Sequence, residues 1–536
     1  MGFGYFGLVL HGHIPWCKKS GTWPAGEEWL MEAMNETYIP MLNSLRELKE
    51  IGIKTAITIN VTPILAEQLA DKYMKQKFTE YMENLISRAQ NDVKRFENHP
   101  KRKIIAEFHL ENFGHVLETF YHNYYRDILG SFKWLQDEGM IELITCAATH
   151  GFLPLIESDS GIFSQIQIAV DTYKKYFKQD PKGIWLPECA YRPEQYFQGK
   201  LRESIDYWLN NSGIEYFFID SHGILNAEIL EQKNEIGLNV NFGYSLKTGV
   251  SVFGRNQETS RQVWDAKIGY PGNEYYREFH KKDHESGLHY WRITSKNLSK
   301  EEKQLYYIDK ANEAIDSHAH HFISLIEKEL QNFSKLYNFE GMVVLPTDFE
   351  LYGHWWGEGV NWLKRVFELI NLHDNINMIT ISKYLSKYKD QFSIIKMRES
   401  SWGEGGDFRV WNNPEHGWIW PYINGSIKEF ENVLEQYPNP NVWEKRVLRQ
   451  IARELLLMEG SDWPFLLYTK QAKEYANQRF HHHHQRFNKL IWAAKDFNDK
   501  SRLNLDELEE IESIDSCFQD INIDYFRKIN SIHIIY

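Results

Sequence analysis

Short apolar runs alternate with longer amphipathic stretches over the first two-thirds of this chain of 536 residues. The amphipathic stretches, such as residues 27–50 and 75–96, predict helices, and the apolar runs predict strands that are buried on both faces. About seven such units fit a β/α barrel better than a short doubly wound sheet. The predicted strands are residues 6–10, 54–60, 103–108, 141–146, 183–186, 216–220 and 342–345.

Polar side chains with catalytic potential follow four of these predicted strands. In a β/α barrel the C-terminal ends of the strands meet at one face, and that face carries the active site. We therefore expect these side chains to converge. They are His11, His13, His150, Glu188 and Asp348.

Two regions depart from the alternation of strands and helices. Residues 224–298 are rich in Gly, Asn and Tyr, and a loop of that length inside a domain is usually functional or forms a small subdomain. From about residue 441 the apolar spacing becomes helical, with a break at 460–464. We predict a barrel of residues 1–395 with an inserted subdomain at about 224–298, followed by a helical C-terminal domain of residues 396–536.

Charge and cysteine usage narrow the classes of partner and compartment. The formal net charge is −13, which argues against a nucleic-acid or anionic-membrane partner. No apolar run reaches the roughly 18 residues of a membrane span, and the N-terminal residues lack a basic region and a cleavage signature. Four cysteines without a CxxC pair fit a reducing compartment, so we expect a cytoplasmic protein. They are Cys17, Cys146, Cys189 and Cys517.

The acids Glu188 and Asp348 are the candidate catalytic pair. Retaining glycosidases use two carboxyl groups, one as nucleophile and one as acid/base. The acid needs a raised pKa, and the aromatic residues that closely follow Asp348 would provide it. Glu188 follows Pro187 at a tight strand exit and suits the nucleophile. The alternative is two ordinary surface acids among 74, but their placement favours an enzyme that acts on glycosidic bonds.

The histidines allow two interpretations. His11 and His13 form an HxH pair just past a strand, which could bind a metal or could hydrogen-bond sugar hydroxyls, and His150 could join either arrangement. Metal sites usually need a further Asp or His nearby, and none follows closely. The run of four histidines at 481–484 predicts a polar, partly solvated helix face, because four consecutive residues spread around a helix.

Indole rings in the glycine-rich stretch before the helical region are candidate sugar contacts. Trp402 and Trp411 lie there, and exposed indoles near a site commonly stack on ligands. The alternative is that both rings anchor the helical region to the barrel. Asp462, at the break between helices, is predicted either to cap a helix or to line the groove.

Five stretches together, in order, resemble glycoside hydrolase family 57 and, within it, the 1,4-α-glucan branching enzymes. They are HGHIP from His11, ATHGFLP from Ala148, WLPECAY from Trp185, PTDFELYGHWW from Pro346, and ESSWGEGG from Glu399 with a following VWNN. The EGSDWPF segment in the helical tail resembles the C-terminal domain of branching-type members.

The resemblance implies a (β/α)7 barrel with a small inserted domain, an all-helical C-terminal domain and a retaining mechanism without metal or organic cofactor. It implies that Glu188 is the nucleophile and Asp348 the acid/base, with an α-glucan as substrate. His11, His13 and His150 would contact the sugar at the cleavage point. The residues implied to line the glucan groove are Arg255, Trp264, Trp402, Trp411 and Asp462. The oligomeric state stays open.

One loop departs from the branching-enzyme pattern. Branching-type members carry a mobile loop after the equivalent of His222, with a tyrosine thought to exclude water. Residues 224–242 contain no tyrosine, and Tyr244 comes next. Because water exclusion decides between transfer and hydrolysis, an amylase-like hydrolase is the alternative to the predicted branching enzyme.

Two rival classes of protein remain. A metal-dependent mannosidase or deacetylase on a similar barrel would use His11 and His13 as ligands. A non-catalytic glucan-binding regulator would need neither acid, so the paired carboxyls of Glu188 and Asp348 argue against it.

Overall fold

The computed structural model describes residues 2–197, 199–265, 268–499 and 501–529. The strands are β1 (Gly4–Gly12), β2 (Ile57–Val61), β3 (Ile141–Cys146), β4 (Gly183–Trp185), β5 (Gln195–Phe197), β6 (Lys200–Arg202), β7 (Tyr216–Ile219), β8 (Glu228–Glu231), β9 (Gly243–Ser245), β10 (Ser251–Gly254), β11 (Gly341–Asp348), β12 (Ile376–Met378) and β13 (Ile394–Lys396).

The α-helices are α1 (Glu27–Ala33), α2 (Ile39–Glu50), α3 (Pro63–Ala70), α4 (Lys72–Arg95), α5 (Pro100–His122), α6 (Ile128–Asp137), α7 (Asp159–Phe177), α8 (Ile205–Asn211), α9 (Ser221–Leu225), α10 (Gln257–Trp264), α11 (Ile308–Tyr337), α12 (Gly359–Asn371), α13 (Ile381–Tyr388), α14 (Ile419–Gln436), α15 (Val442–Met458), α16 (Asp462–Thr469), α17 (Lys473–Ala494) and α18 (Leu505–Ile514). A π-helical turn, Met34–Tyr38, joins α1 to α2. Within the described part of the chain, no helix has both the length and the apolar composition that crossing a membrane requires.

Seven strands form a continuous parallel run in the order β11, β1, β2, β3, β4, β7 and β10. The ends of the run are bridged: the Asn256 backbone N–H donates to Val344 O at 3.0 Å, and the Met342 N–H donates to Asn241 O at 2.8 Å. The predicted α/β class and (β/α)7 arrangement are therefore confirmed. Parallel strands that close in this way bring their C-terminal ends to one face.

Six of the seven predicted strands lie in this run, and one prediction was wrong. Residues 103–108 belong to helix α5, which Pro100 begins at a position where a missing N–H is tolerated. Ile105 and His109, four residues apart, are both buried, whereas Ile104 is 58% exposed. That is helical and not strand periodicity.

The seventh barrel strand lies inside the region expected to be an insertion. β10 pairs in parallel with β7, and β9 pairs antiparallel with β10. β13 then pairs with both β8 and β9. Part of the 224–298 segment is thus integral to the main sheet, and the division of the chain into 1–395 and 396–536 stays a prediction.

The C-terminal part is helical, as its apolar spacing predicted. α15 starts with a capping box between Asn441 and Glu444 and packs against α17, and its residues 450–458 are buried all round. The predicted break at 460–464 separates α15 from α16, which begins at Asp462.

The histidine run on α17 does not form a solvated face along its whole length, so that prediction was wrong for His483, which is fully buried. Its Nδ1 lies 2.9 Å from Glu454 Oε2 and 3.5 Å from Asp515 Oδ2, and its Nε2 lies 2.9 Å from Arg479. Because guanidinium groups only donate, Nε2 accepts and the ring proton sits on Nδ1. Arg486 pairs with Asp515. We call these five residues the buried charge cluster.

Candidate active site

Strand register brings the predicted site residues to one edge of the barrel. His11 in β1 pairs directly with Asp348, the last residue of β11. Glu188 lies in a 3-10 turn, Pro187–Cys189, that follows β4, and His150 lies four residues beyond β3. β3 and β4 are themselves neighbours in the sheet. The expected convergence at the C-terminal face is therefore present.

An unusual backbone conformation presents the Glu188 carboxyl. Glu188 has φ 62° and ψ 21°, and Cys189 also has a positive φ, which is rare for residues other than glycine. Strain of this kind persists only where surrounding contacts fix it. Here the Cys189 N–H donates to Leu186 O at 2.8 Å, and the Trp402 N–H donates to Glu188 O at 3.1 Å.

Both carboxyl oxygens of Glu188 accept a hydrogen bond. Trp402 Nε1 donates to Oε2 at 2.8 Å, and Ser461 Oγ donates to Oε1 at 2.9 Å. Burial raises the pKa of Glu188 overall, and these two hydrogen bonds limit the rise because they favour the charged form. The group is positioned as a fixed carboxylate.

Asp348 has a different environment. No side chain among the described residues hydrogen-bonds its carboxyl group, which is only half-buried. Burial raises its pKa well above the ordinary value, the charges of Glu350 and Glu188 raise it further, and Arg255 opposes them. A carboxyl group in such surroundings keeps its proton, as a general acid must. Glu350 and Glu188 are both near enough to repel its charge.

Four rings form a stack beside the two acids. The His11 ring lies 4.5 Å from the nearly parallel Trp185 ring and 5.0 Å from His150, between ring centroids. His13 stacks on His150 at 4.1 Å. The stack fixes the three imidazoles that the sequence placed at the strand ends.

Hydrogen bonds show which ring nitrogen carries the proton in His150 and in His11. Because Ser461 Oγ donates to Glu188, it accepts from His150 Nδ1, 2.7 Å away. His11 Nδ1 likewise donates to the Asn60 side-chain oxygen at 2.6 Å. Burial lowers the pKa of both histidines, so both are neutral and keep a lone pair on Nε2. His150 Nε2 is buried without a hydrogen-bond partner among the described residues, so its lone pair is unused in this structure.

The pKa of His13 is shifted in the opposite direction from the pKa values of His11 and His150. Its Nε2 donates to both oxygens of Asp462 at 3.0 and 3.1 Å. Burial is the largest single influence on the pKa of His13 and lowers it, but the charge and hydrogen bond of Asp462, together with the charges of Glu350 and Glu188, raise the pKa overall. Asp462, at the start of α16, thus ties the helical region to the barrel site.

Ligand-type atoms of His13, His150 and Asp462 lie within 4.8 Å of one another. An imidazole nitrogen binds an ion along the plane of its own ring. The rings of His13 and His150 are stacked, with only 18° between their planes, so they cannot both direct a lone pair at one ion. The geometry does not fit a metal shared by the two rings.

The predicted groove residues lie in two different settings. Arg255 pairs with Asp220, and its guanidinium carbon lies 6.0 Å from the centre of the half-buried Trp402 ring. Trp264 is 40% exposed and shares a shallow cavity of about 410 Å³ with Arg255. Arg255 and Trp264 therefore border one open cavity, with Trp402 beside Arg255.

Trp411 does not line the groove, and the prediction of an exposed indole there was wrong. Its ring is 1% exposed and stacks on Phe152 at 4.7 Å between ring centroids. Its backbone oxygen accepts from Trp420 Nε1 on α14. Trp411 therefore joins the barrel to the helices, which was the alternative interpretation.

Several residues of the site were missed. Ser461 directly precedes Asp462, and Glu350 accepts the His13 backbone N–H at 3.1 Å and the Tyr38 hydroxyl. Glu350 lies two positions after Asp348, so its position in the same motif was an available signal. Asn60, at the end of a predicted strand, could have been found by the strand-end rule. Ser461 has no such signal.

Comparison with known proteins matches this architecture to one family. The sequence profile of glycosyl hydrolase family 57 matches residues 7–397, and the profile described as "1,4-alpha-glucan branching enzyme, C-terminal" matches residues 423–526. The protein belongs to glycosyl hydrolase family 57.

Particular members of that family resemble the whole chain. A 1,4-alpha-glucan branching enzyme of Thermococcus kodakarensis is 41% identical over 529 residues, covering 97% of this chain and 78% of the relative. The crystal structure of the branching enzyme from Pyrococcus horikoshii has a TM-score of 0.91 at 40% identity, covering 99% of this chain and 98% of that one. The α-amylase AmyC from Thermotoga maritima has a TM-score of 0.87 at 33% identity, covering 99% and 100%.

Proposed function

We propose that this protein is a retaining 1,4-α-glucan branching enzyme. The observation that carries the proposal is the asymmetry of its two acids. Glu188 accepts two hydrogen bonds that favour a carboxylate, while Asp348 accepts none and sits beside other negative charges. A retaining mechanism needs one acid in each state. The C-terminal profile match and the likeness to branching enzymes support the substrate class, an α-glucan.

In the first step, Glu188 attacks the anomeric carbon of an internal α-1,4 linkage. Asp348 gives its proton to the departing O4 of the downstream chain. The products are a covalent glucosyl ester on Glu188 and a free chain end. Positioned hydrogen bonds from Trp402 and Ser461 to the nucleophile leave less reorganisation for the reaction.

In the second step, Asp348 is the base. It takes the proton from the 6-hydroxyl of an acceptor chain, whose oxygen attacks the anomeric carbon and displaces Glu188. The result is an α-1,6 branch, and both acids return to their initial protonation states. The lone pairs on His11 and His150 Nε2 are suited to accept from sugar hydroxyls, and exposed Trp264 is suited to stack on a chain.

Water competes with the acceptor for the glucosyl ester, and the outcome depends on closure of the site. Tyr244 cannot supply a gate in this structure, because its ring is fully buried and its hydroxyl donates to Gly237 O at 2.6 Å. The segment after His222 forms β8, paired with β13. This, with the likeness to AmyC, favours an α-1,4-glucan hydrolase as the second candidate function.

Linkage analysis of the products from linear amylose tests the proposal. A branching enzyme produces α-1,6 linkages in excess of new reducing ends, and an iodine complex of shorter wavelength. Reducing ends without α-1,6 linkages would replace the proposal with the hydrolase. Absence of any turnover would rule out both the branching enzyme and the hydrolase. We further propose that the enzyme acts in the cytoplasm on a glycogen-like glucan.

A further inference from the structure

A second cavity, of about 320 Å³, lies outside the barrel between α1, the π-helical turn, α4, α5 and the 277–289 segment. We call it the outer pocket. Its volume is at the lower end of the range for ligand sites. None of the predicted active-site residues lines it. The polar side chains that line it are those of Glu28, Glu32, Asn35, Glu36, Tyr81, Arg88, His109, Arg277, Lys282 and His289.

The charges of the outer pocket balance. Three carboxyl groups face three cationic groups, and Arg277 and Lys282 lie 3.7 and 3.6 Å from Glu36 and Glu32. Burial lowers the pKa of His109 to about 4, and it lowers that of His289 well below its ordinary value. Both rings are therefore neutral. A pocket without net charge but dense in hydrogen-bonding groups favours a neutral polyhydroxyl ligand over an anion or a cation.

The walls are fixed by hydrogen bonds to backbone oxygens of neighbouring segments. Arg88 donates to Ser286 O at 2.8 Å, and Arg277 donates to Gly353 O at 2.9 Å. His109 Nε2 lies 2.6 Å from His289 O. Because these side chains are already ordered, a ligand would bind them at a small entropic cost.

Two uncharged polar side chains on these fixed walls have no hydrogen-bond partner among the described residues. Asn35 is 6% exposed, and its side-chain amide accepts and donates nothing within the described chain. The Tyr81 hydroxyl is also unpaired there, although burial and the nearby carboxylates raise the pKa of Tyr81 well above its ordinary value. A buried amide is rarely left without partners. The Asn35 side chain offers a ligand an oxygen acceptor and an N–H donor, and the Tyr81 hydroxyl offers an O–H donor.

The outer pocket is coupled to the active site through one helical turn. Glu36, which lines the pocket, accepts from His354 Nδ1 at 2.6 Å. Tyr38, two residues on, donates to Glu350 beside Asp348. His354 and Glu350 belong to the same loop after β11. A chain held in the pocket would therefore lie close to the loop that directly follows the acid/base Asp348.

We propose that the outer pocket binds a short stretch of α-glucan, apart from the stretch in the catalytic cleft. The identity of the sugar rests on the proposed function, whereas the neutral polyhydroxyl class rests on the pocket. When the outer pocket binds one part of a polymer, binding of another part in the catalytic cleft becomes intramolecular. The effective concentration of the chain at the cleft rises.

Calorimetric titration with maltotriose tests the proposal in the Glu188→Gln variant, which removes turnover. Adding Trp402→Ala weakens binding in the cleft and leaves the outer pocket as the main site. On that background, Tyr81→Phe should weaken maltotriose binding about two- to tenfold, the effect of one hydrogen bond. Asn35→Leu should do the same. Tyr121→Phe is the matched control, because Tyr121 lies on α5 and bonds Thr79 outside the pocket.

Unchanged maltotriose binding in both pocket variants would overturn the proposal, as would tighter binding of inorganic phosphate or spermidine that these variants abolish. The wild-type branching assay is scored separately. Branching with no pocket effect overturns only the outer site. Pocket binding of maltotriose without branching supports the site and removes the proposed function.

Discussion

Two clusters of histidine and carboxyl groups lie in this molecule, and they differ in what they leave unpaired. At the barrel face, His150 Nε2 and the Asp348 carboxyl have no hydrogen-bond partner among the described residues. In the buried charge cluster, His483 is bonded on both nitrogens, and Asp515 pairs with Arg486 through Oδ2, although Asp515 Oδ1 has no hydrogen-bond partner among the described residues. Both clusters would pass as metal-ligand groups by residue type alone.

The comparison teaches that the acids and bases of the structural cluster contact one another, whereas those of the reactive site include groups without a partner. In the buried charge cluster Asp515 forms an ion pair with Arg486, and His483 bridges Glu454 and Arg479, so its groups hold α15, α17 and the segment after α18 together. The barrel cluster instead leaves the His150 Nε2 lone pair and the whole Asp348 carboxyl group without a partner among the described residues. Unpaired polar groups are costly, and they persist where a ligand completes them.

The largest effect should come from Glu188→Gln. The amide keeps the shape of the side chain but cannot attack carbon, so kcat on amylose should fall at least about 1,000-fold. Glu194→Gln, an exposed acid six residues on, is the control and should leave kcat unchanged. Substantial residual turnover in a folded Glu188→Gln variant would disprove the nucleophile assignment.

Asp515→Ala should act on stability and not on chemistry. Removing the Asp515 carboxylate leaves buried His483 without one of its two neighbouring carboxylates and leaves Arg486 without its ion-pair partner. We expect a cost of about 3–5 kcal/mol in the free energy of unfolding. Urea denaturation measures this, with exposed Asp520→Ala as control. A large loss of kcat per folded molecule, with stability unchanged, would break the contrast between the clusters.

Trp402→Phe and Trp411→Phe separate the two indoles. Trp402→Phe removes a donor to the nucleophile, so kcat/KM should fall about 10- to 100-fold. Trp411→Phe should cost about 1–3 kcal/mol of stability and leave kcat/KM nearly unchanged, because its ring is core packing. Steady-state kinetics and thermal melts measure these effects. A large loss of kcat/KM in Trp411→Phe with stability unchanged would contradict the assignment of Trp411 to core packing.

Ser461→Ala should change the pH dependence of kcat/KM. The Ser461 hydroxyl lowers the pKa of Glu188, so removing it raises that pKa. Activity requires the ionised nucleophile, so the acidic limb of the profile should move to higher pH by roughly one unit. An acidic limb that stays in place would mean that this hydrogen bond does not act on the nucleophile.

The smallest expected effect is that of a chelator. Because His13 and His150 are stacked and cannot share an ion, EDTA treatment followed by dialysis should leave kcat on amylose unchanged. Added Zn²⁺ should not raise it. Activity lost with EDTA and restored by Zn²⁺ would revive the metal-dependent class of enzyme.

Strand-end residues were predictable from the sequence because parallel strands deliver their C-termini to one face. His11, Glu188 and Asp348 needed only that rule. Strand β10 was missed because its four residues include only two large apolar side chains, Val252 and Phe253, and lie within a Gly- and Asn-rich stretch. Ser461 was missed because its contact with Glu188 spans 273 positions and arises from how the helices dock. Burial of Trp411 depends on the same docking, which local patterns do not encode.

Azide rescue tests the central assignment of the two acids most directly. Alanine at a nucleophile lets azide attack from the vacated side and gives a β-glucosyl azide, whereas alanine at the acid/base leaves the glucosyl ester for azide to displace and gives an α-glucosyl azide. The account predicts β from Glu188→Ala and α from Asp348→Ala, on an activated α-glucoside. The opposite configurations, determined by NMR, would contradict it.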